Sequence, residues 1–401
     1  MSVALSQRHA DAAAANLSAP APRALALTRL TLADFRSYAH LKTTLTTQPV
    51  VLTGDNGAGK TNILEAISFL SPGRGLRQAA LADVTRRGAA GWAVSATVQG
   101  YDGAVDVGTG LIAGDGVAAA RRTVRIGGTA IGQQSRLASV AQVTWLTPAM
   151  DRLFIETAPS RRRFLDRLTY GFDNAHARRV AAYERVMRQR SKLLRTGVDD
   201  PRWLGALEET MAEHAVAIAA ARRDAVFRLE GGLGAGTGAF PAALLAVEGW
   251  VEAALDRDSA LVVEQALRDK LAQARPLDAE TGGAAHGVHR SDFAVRHADK
   301  DMPAAACSTG EQKALLIAIV LAQARIMAGA VGAVPMLLLD EVVAHLDRRR
   351  RRALCAELRA LGAQAWLTGT DRALFADLDG WAQFFNVSGG TVAVETNGLT
   401  S

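Results

Sequence analysis

Eight residues, Gly54-Asp55-Asn56-Gly57-Ala58-Gly59-Lys60-Thr61, constrain this chain more than any other stretch. They fit the spacing G-x-x-x-x-G-K-[ST] and sit between a strand-like run (49–52) and a helix-like run (62–70), the setting in which such a loop holds phosphate. Glycines reach backbone angles that turn successive amides inward, and inward amides bind anions. The loop N–H groups and the positive end of the following helix would cradle phosphates, with Asn62 opening that helix. Lys60 would reach the β and γ groups and Thr61 would ligand Mg²⁺. A glycine-rich turn that only caps a helix does not need four fixed positions in a strand-loop-helix context. An α/β fold is therefore expected.

The 401 residues suffice for two or three domains' worth of core, and 49% hydrophobic with 21% charged residues is ordinary for a globular protein. Cys307 and Cys355 have no paired neighbours, so neither a metal site nor a disulfide framework is indicated and a cytoplasmic setting is expected. The longest apolar run, 314–322, falls well short of the roughly 20 residues of a membrane-spanning helix, and no membrane association is expected. Residues 1–24, rich in alanine and proline, read as a flexible N-terminal extension and not as a secretory signal. Of the 46 basic residues six are lysine and the rest arginine, the cation suited to bidentate phosphate contacts. A GC-rich genome, which would also raise alanine, explains that bias equally well.

From 25 to about 150 short β-like runs (25–32, 50–53, 92–98, 105–112, 122–126) alternate with turns, as in a mixed α/β lobe. From 159 to about 229 proline and glycine become sparse. Leu204, Leu207, Met211, Ala215, Ile218, Ala221 and Ala225 form one helical stripe, and Tyr183, Val186, Arg190 and Leu193 continue it upstream of a turn at 196–201. An antiparallel helical pair is expected. A glycine-rich break (231–240), a β-like stretch (244–251) and a helix (259–275) follow, and α/β character returns at 288. The reading is of one mixed α/β unit in two parts, 25–158 and 288–401, interrupted by a mostly helical insertion at 159–287.

Two further segments carry chemistry. Residues 335–341 form an apolar run ending in Asp340 and Glu341; beside a phosphate loop, Asp340 would hold Mg²⁺ and Glu341 would orient or deprotonate the water attacking a γ-phosphate. Ser308 and Glu311 form an S-x-x-E capping box before the apolar helix 314–327. A capped helix start also presents amides and a positive dipole end to an anion.

With Asp34-Phe35-Arg36-Ser37-Tyr38, Ser71-Pro72-Gly73-Arg74-Gly75-Leu76-Arg77, Arg161-Arg162-Arg163-Phe164-Leu165-Asp166 and Asp340-Glu341-Val342-Val343-Ala344-His345-Leu346-Asp347, these motifs make the chain resemble the ABC-type ATPase heads of SMC-like proteins, and among them the RecF family. The resemblance spans 25–380. It implies an ATP- and Mg²⁺-dependent DNA-binding protein of replication, recombinational repair and the SOS response, acting with RecO and RecR to place RecA on gapped DNA. It further implies that Ser308 and Gly310 contact the γ-phosphate of ATP held by the opposite protomer, so that ATP binding and homodimerisation are one event. Arg36 would lie near the phosphates, Asn56 and Lys60 would grip them, and Asp347 would meet its counterpart across the dimer. The family's His-Arg-Asp-Asp appears here as His289-Arg290-Ser291-Asp292, to which no catalytic role is assigned. The switch position falls at Leu367-Thr368-Gly369-Thr370-Asp371, where no histidine can sense γ-phosphate and Thr370 or Asp371 would do so weakly, so hydrolysis should be slow. Gln142 is a candidate Q-loop glutamine, although Thr147-Pro148 occupies the junction more naturally.

Between 160 and 196 eleven Lys/Arg, among them Arg161, Arg162, Arg163, Arg178, Arg179 and Arg188, face three acids, a density that attracts phosphate backbone without reading sequence. Arginines paired to acids on a solvated helix would give the same composition. A P-loop kinase or other small-molecule phosphotransferase would share the loop but have no use for 308–312. A structural or transport-associated ABC subunit is the other alternative.

Overall fold

The structure is a computed structural model that describes residues 23–100, 103–112, 121–132, 134–197, 200–233, 238–330 and 332–395. The extension expected over 1–24 lies outside the described residues except for its last two, as do 234–237 of the expected glycine-rich break. In chain order the principal strands and helices are β1 (Ala26–Phe35), β2 (Tyr38–Thr44), β3 (Val50–Thr53), α1 (Lys60–Ser68), β4 (Trp92–Gly100), β5 (Gly103–Ile112), β6 (Arg121–Ile126) and β7 (Val143–Leu146). Next come α2 (Ala158–Tyr170), α3 (His176–Arg195), α4 (Pro201–Leu233), β8 (Ala243–Glu248), α5 (Trp250–Ala254), α6 (Ala260–Gln273), α7 (Arg275–Thr281) and β9 (Asp292–His297). The chain ends with α8 (Thr309–Ala330), β10 (Met336–Leu339), α9 (Arg348–Leu361), β11 (Ala365–Thr368), β12 (Gln383–Ser388) and β13 (Thr391–Val394).

Two sheets sandwich α1. One is antiparallel, in the order β2-β1-β4-β5-β6 with Thr129–Ala130 at its edge; the other runs β13-β12-β3-β11-β10-β7 and is parallel except for the β12–β13 hairpin. Successive side chains of a strand point to opposite faces, and here both faces are dry. Met336 and Leu338 join the core shared with α1 and the antiparallel sheet, whereas Leu337 and Leu339 join the core beneath α8. Val50 and Leu52 against Val51, and Trp366 against Ala365 and Leu367, divide in the same way. Continuous apolar runs in these strands are the consequence.

Helix α8 has mean hydropathy 1.6, long and apolar enough to cross a membrane by length and composition, but 72% of that stretch is buried within the fold. It is the central core helix: α4 packs on it, and Arg325 ties it to Glu357 of α9 at 3.0 Å. The expected antiparallel pair is α3 and α4. Arg190, read as part of their apolar stripe, is fully buried and tied to Glu208 (3.0 Å), Asp278 (2.6 Å) and the Leu271 carbonyl (2.7 Å). The β-like stretch expected over 244–251 is cut short at Gly249, after which α5 begins. Strand β8 pairs antiparallel with β9 from Ala243↔His297 to Glu248↔Asp292, so the polypeptide on either side of the loop 282–287 shares one small sheet.

Behind β9 the helical part is fastened by buried polar groups. Asp166 accepts both Arg222 nitrogens (2.8 and 3.0 Å) and faces His176 at 2.8 Å, and its carboxyl, although burial opposes this, is pulled down to about 2 by that arginine and histidine. His289 lies between the Ala284 carbonyl (2.8 Å) and the Tyr183 hydroxyl (2.7 Å). With Nε2–H donating to the carbonyl, Nδ1 accepts from the tyrosine and the ring is neutral. Burial holds the His289 pKa down at about 4. A depressed folded-state pKa contributes stability that is complete above the unfolded value near 6.5 and is lost as pH falls through 4. Chemical denaturation should therefore show roughly 2–3 kcal/mol of acid destabilisation between pH 6.5 and 4 from this group. In His289→Gln that part of the pH slope should vanish.

Candidate nucleotide site

Parallel pairing fixes where the chemistry sits. Thr368 pairs with Leu52, and Leu367 with Leu339, so the carboxyl ends of β3, β11 and β10 finish at one edge. Ligands of open α/β sheets bind outside that edge. The phosphate loop leaves it at Gly54, whose φ of 136° and whose approach to Val387, where a Cβ would meet the carbonyl oxygen at 2.2 Å, admit only glycine. Gly59, at φ 115°, turns the chain into α1, and Tyr38 secures it by donating to its carbonyl at 3.1 Å.

Lys60 is buried and folds back over the loop, its Nζ donating to the carbonyls of Gly54 (2.6 Å) and Asp55 (2.8 Å). Desolvation lowers its pKa, against the pull of Glu341, Asp340 and Asp55. The Thr61 hydroxyl donates to Asp340 Oδ1 at 3.0 Å, and Asp340, 4% exposed, has its pKa raised by burial in spite of the Thr61 and Thr368 hydrogen bonds. Two hard oxygens in contact, one a carboxylate short of counter-charge, suit Mg²⁺. Glu341 takes a left-handed backbone (φ 51°), and its amide donates to Thr368 Oγ1 at 2.8 Å.

Arg36, at φ 52°, grips Glu65 of α1 through Nε (2.9 Å) and Nη2 (2.7 Å), while Nη1 reaches the Asp83 carbonyl (2.7 Å). Glu65 has no exposure and also accepts from Arg77 at 2.9 Å. Arg77 in turn donates to Asn62 Oδ1 (2.9 Å), and Asn62 donates to Ser37 (2.9 Å). The 34–38 turn, α1 and the 71–77 segment, three stretches of separate interest in the sequence, are thus one network around Glu65. Asp55, Asn56, Gly57 and Ala58 line a cleft of about 460 Å³ with Ser37 and residues 386–390. On the other side Thr61, Asp340, Glu341 and Arg77 line a cleft of about 1250 Å³ that extends to α2 and α3.

Ser308, Gly310 and Asp347 lie elsewhere. The capping box forms as expected, with the Ser308 amide donating to Glu311 (3.0 Å) and the Glu311 amide to Ser308 Oγ (3.4 Å), and Lys300 beside Glu311 pulls that carboxyl to about 2. Ser308 is exposed, and neither it nor Gly310 lines either cleft. Asp347 caps α9 through the Arg350 amide (2.8 Å), and Arg350 Nη1 reaches the Gly310 carbonyl (3.3 Å). The signature segment and Asp347 therefore share one surface.

The basic cluster divides. Arg161 is held bidentately by Asp292 (2.8 and 2.6 Å), Arg162 donates to the Ser291 carbonyl, Arg179 pairs with Asp173, and Arg188 pairs at 3.5 Å with Glu184 while staying exposed. Arg167 lies over Trp145 (4.5 Å) and Phe164 (5.2 Å), and burial lowers its pKa to about 9. Arg163, Arg178, Arg185, Arg188, Lys192 and Arg195 remain exposed.

In the 289–292 segment Ser291 donates to Glu252, which is 2% exposed, so a carboxylate does stand beside this position. At the switch segment Asp371 accepts the Ala373 amide (2.8 Å) and Thr370 is exposed. Thr368, which motif reading passed over, is the residue that touches Asp340, at 2.8 Å. No local signal singles it out, since it closes an apolar strand as any strand end would. Gln142 lines the larger cleft with a buried Oε1 that has no hydrogen-bond partner among the described residues.

Residues 26–392 match the family described as the RecF/RecN/SMC N terminal domain. The chain is 49% identical over 374 residues to the DNA replication and repair protein RecF of Agrobacterium fabrum, covering 92% of this chain and 98% of that one. In fold it superposes with a TM-score of 0.80 at 20% identity on the recombination mediator protein RecF-ATP in the RecFOR pathway, covering 93% and 98% of the two chains. The Smc head domain of Pyrococcus furiosus, bound to a part of ScpA, gives 0.52 at 17% identity over 92% and 96%. The fold is thus that of an ABC-type ATPase head, mixed α/β in character, and the kinase and transport readings are not favoured. With a phosphate loop, paired acids and signature segment on that scaffold, and relatives at this identity over nearly its full length, the chain belongs to the RecF family of DNA replication and repair proteins.

Proposed function

We propose that this protein is an ATP-dependent, sequence-independent DNA-binding protein of recombinational repair in the cytoplasm, which dimerises on ATP and separates after slow hydrolysis. The observation that carries the reading is a division of labour. Thr61, Asp340 and Glu341 meet at the phosphate loop, whereas Ser308, Gly310 and Asp347 form a separate surface outside both clefts. A signature segment that lines neither cleft of its own chain is free to serve the loop of a second copy. ATP then lies at a seam between two protomers. In this reading residues 25–158 and 288–401 form the ATPase lobe, and 159–287 form the helical lobe that carries the DNA-facing arginines.

The loop amides from Gly54 to Thr61 and the start of α1 hold the β- and γ-phosphates, and Lys60 exchanges its two carbonyl contacts for phosphate oxygens. Mg²⁺, held by Thr61 and Asp340, supplies charge neutralisation on those phosphates. Glu341 orients the attacking water and takes its proton as the oxygen bonds to the γ-phosphorus. The β–γ bridging bond breaks and ADP leaves with its electron pair. The family's partners RecO and RecR belong to the same reading, supported by the RecFOR pathway named for a structural relative, and the loading of RecA on gapped DNA is what the family resemblance implies.

Lys60→Met is expected to abolish ATP-dependent dimerisation in light scattering. Glu341→Gln should accumulate an ATP-bound dimer because binding survives and turnover does not; a turnover rate equal to that of the parent would remove Glu341 from the catalytic role. Replacing the exposed Arg163, Arg178, Arg185 and Arg188 by glutamate should weaken duplex DNA binding at least about tenfold, about 1.4 kcal/mol, at moderate salt and flatten its salt dependence. Anisotropy titration at two salt concentrations checks this.

A further inference from the structure

We infer that Thr368 is the positioning residue for hydrolysis at this site, an inference that rests on the ATPase reading above. Its single hydroxyl stands between the two acids: it donates to Asp340 Oδ1 at 2.8 Å and accepts the backbone amide of Glu341 at 2.8 Å. Thr61 donates to that same Asp340 oxygen at 3.0 Å. The Asp340 carboxylate and the Glu341 backbone amide therefore meet at one hydroxyl, and Asp340 meets the phosphate loop through Thr61.

The need for such a group comes from the backbone of Glu341. Its φ of 51° is a left-handed conformation that a glutamate adopts only where its surroundings enforce it. A peptide free to relax to negative φ would swing the side chain away from the cleft that it lines with Thr61 and Asp340. The Thr368 hydroxyl receives the amide that such relaxation would turn away. Thr368 is itself immobile: it is 1% exposed, pairs with Leu52, and is followed by Gly369, whose amide donates to the Leu52 carbonyl at 3.1 Å. A β-branched side chain adds a restricted χ1, so the oxygen has little choice of position. One hydroxyl proton can serve only one acceptor, so its direction towards Asp340 leaves its lone pairs for the Glu341 amide. Thr368 does not touch substrate. It acts through Asp340 and Glu341.

The test compares the full-length parent protein with Thr368→Val, which preserves shape and removes the hydroxyl, and with Thr368→Ser, which restores it. In Thr368→Val, single-turnover ATP hydrolysis is expected to fall at least about tenfold while KM for ATP stays within about threefold of the parent. In the nucleotide-free protein the Glu341 amide should exchange with deuterium at least about tenfold faster. Thr368→Ser should recover most of both. If the valine protein does not accumulate folded, Thr368→Ala against Thr368→Ser makes the same comparison. Turnover within twofold of the parent, or unchanged protection of the Glu341 amide, overturns the inference and leaves the ATPase reading standing. A parent that hydrolyses no ATP takes down both.

Discussion

The hydrogen bond from Thr61 to Asp340 joins residues 279 positions apart, and everything functional in the lobe depends on the strand register that makes it possible. The phosphate loop can begin where it does only because β3 ends level with β11, and β11 ends level with β10. A slip of one residue in β10 would turn Leu337 and Leu339 towards the α1 core and carry Asp340 away from the loop. Two dry faces forbid that slip, since each strand has large apolar side chains committed to a separate core on either side. Hydrophobic burial thereby sets the position of a polar site to within a hydrogen bond.

Glu65 extends the same logic to the outer side of α1. A carboxylate with no solvent exposure must be compensated, and Glu65 takes two cations, Arg36 and Arg77, from segments that precede and follow the helix in the chain. Removing either would leave a buried charge half-compensated, so both segments are pinned to the helix that starts the phosphate loop. Arg36 thus bears on the phosphate loop through Glu65, and the unusual φ of 52° at Arg36 is the backbone consequence of aiming it inward.

Local signals read well from sequence wherever one segment contains its own explanation. The phosphate loop, the apolar strand before Asp340, the capping box at Ser308 and the helical pair all depend on neighbours within a few positions, and all form as expected. The arginines read less well, because a charge has no periodicity that reveals its partner. Arg161 belongs to a run whose composition signals a surface, yet Asp292, distant in sequence, draws it inward, and the stripe that places Arg190 on a packed face does not reveal Glu208 and Asp278 as its partners. Thr368 was illegible for a related reason. A threonine closing an apolar strand looks like any strand end until the neighbouring strand places Asp340 beside it. The pairing of β8 with β9 across the loop at 282–287 was hidden because a boundary drawn on composition does not register which strands bond.

The arrangement of the signature surface bears on why hydrolysis should be slow without being absent. Ser308 and Gly310 are fixed by local bonds, the capping box and Arg350, so the proposed docking of a second copy would need little reorganisation here. On the side of the paired acids, the hydroxyl at the end of β11 is already engaged with Asp340 and the Glu341 amide. No histidine stands after β11 to supply a mobile proton or a second contact to the γ-phosphate. Preorganised charge lowers the barrier in proportion to the donors aimed at the transferring group, and this site has Lys60 and the loop amides for binding but few for the transition state alone. Such a distribution favours holding ATP over cleaving it. In the proposed reading that suits a dimer held together by ATP, whose associated state is the one with the nucleotide still in place.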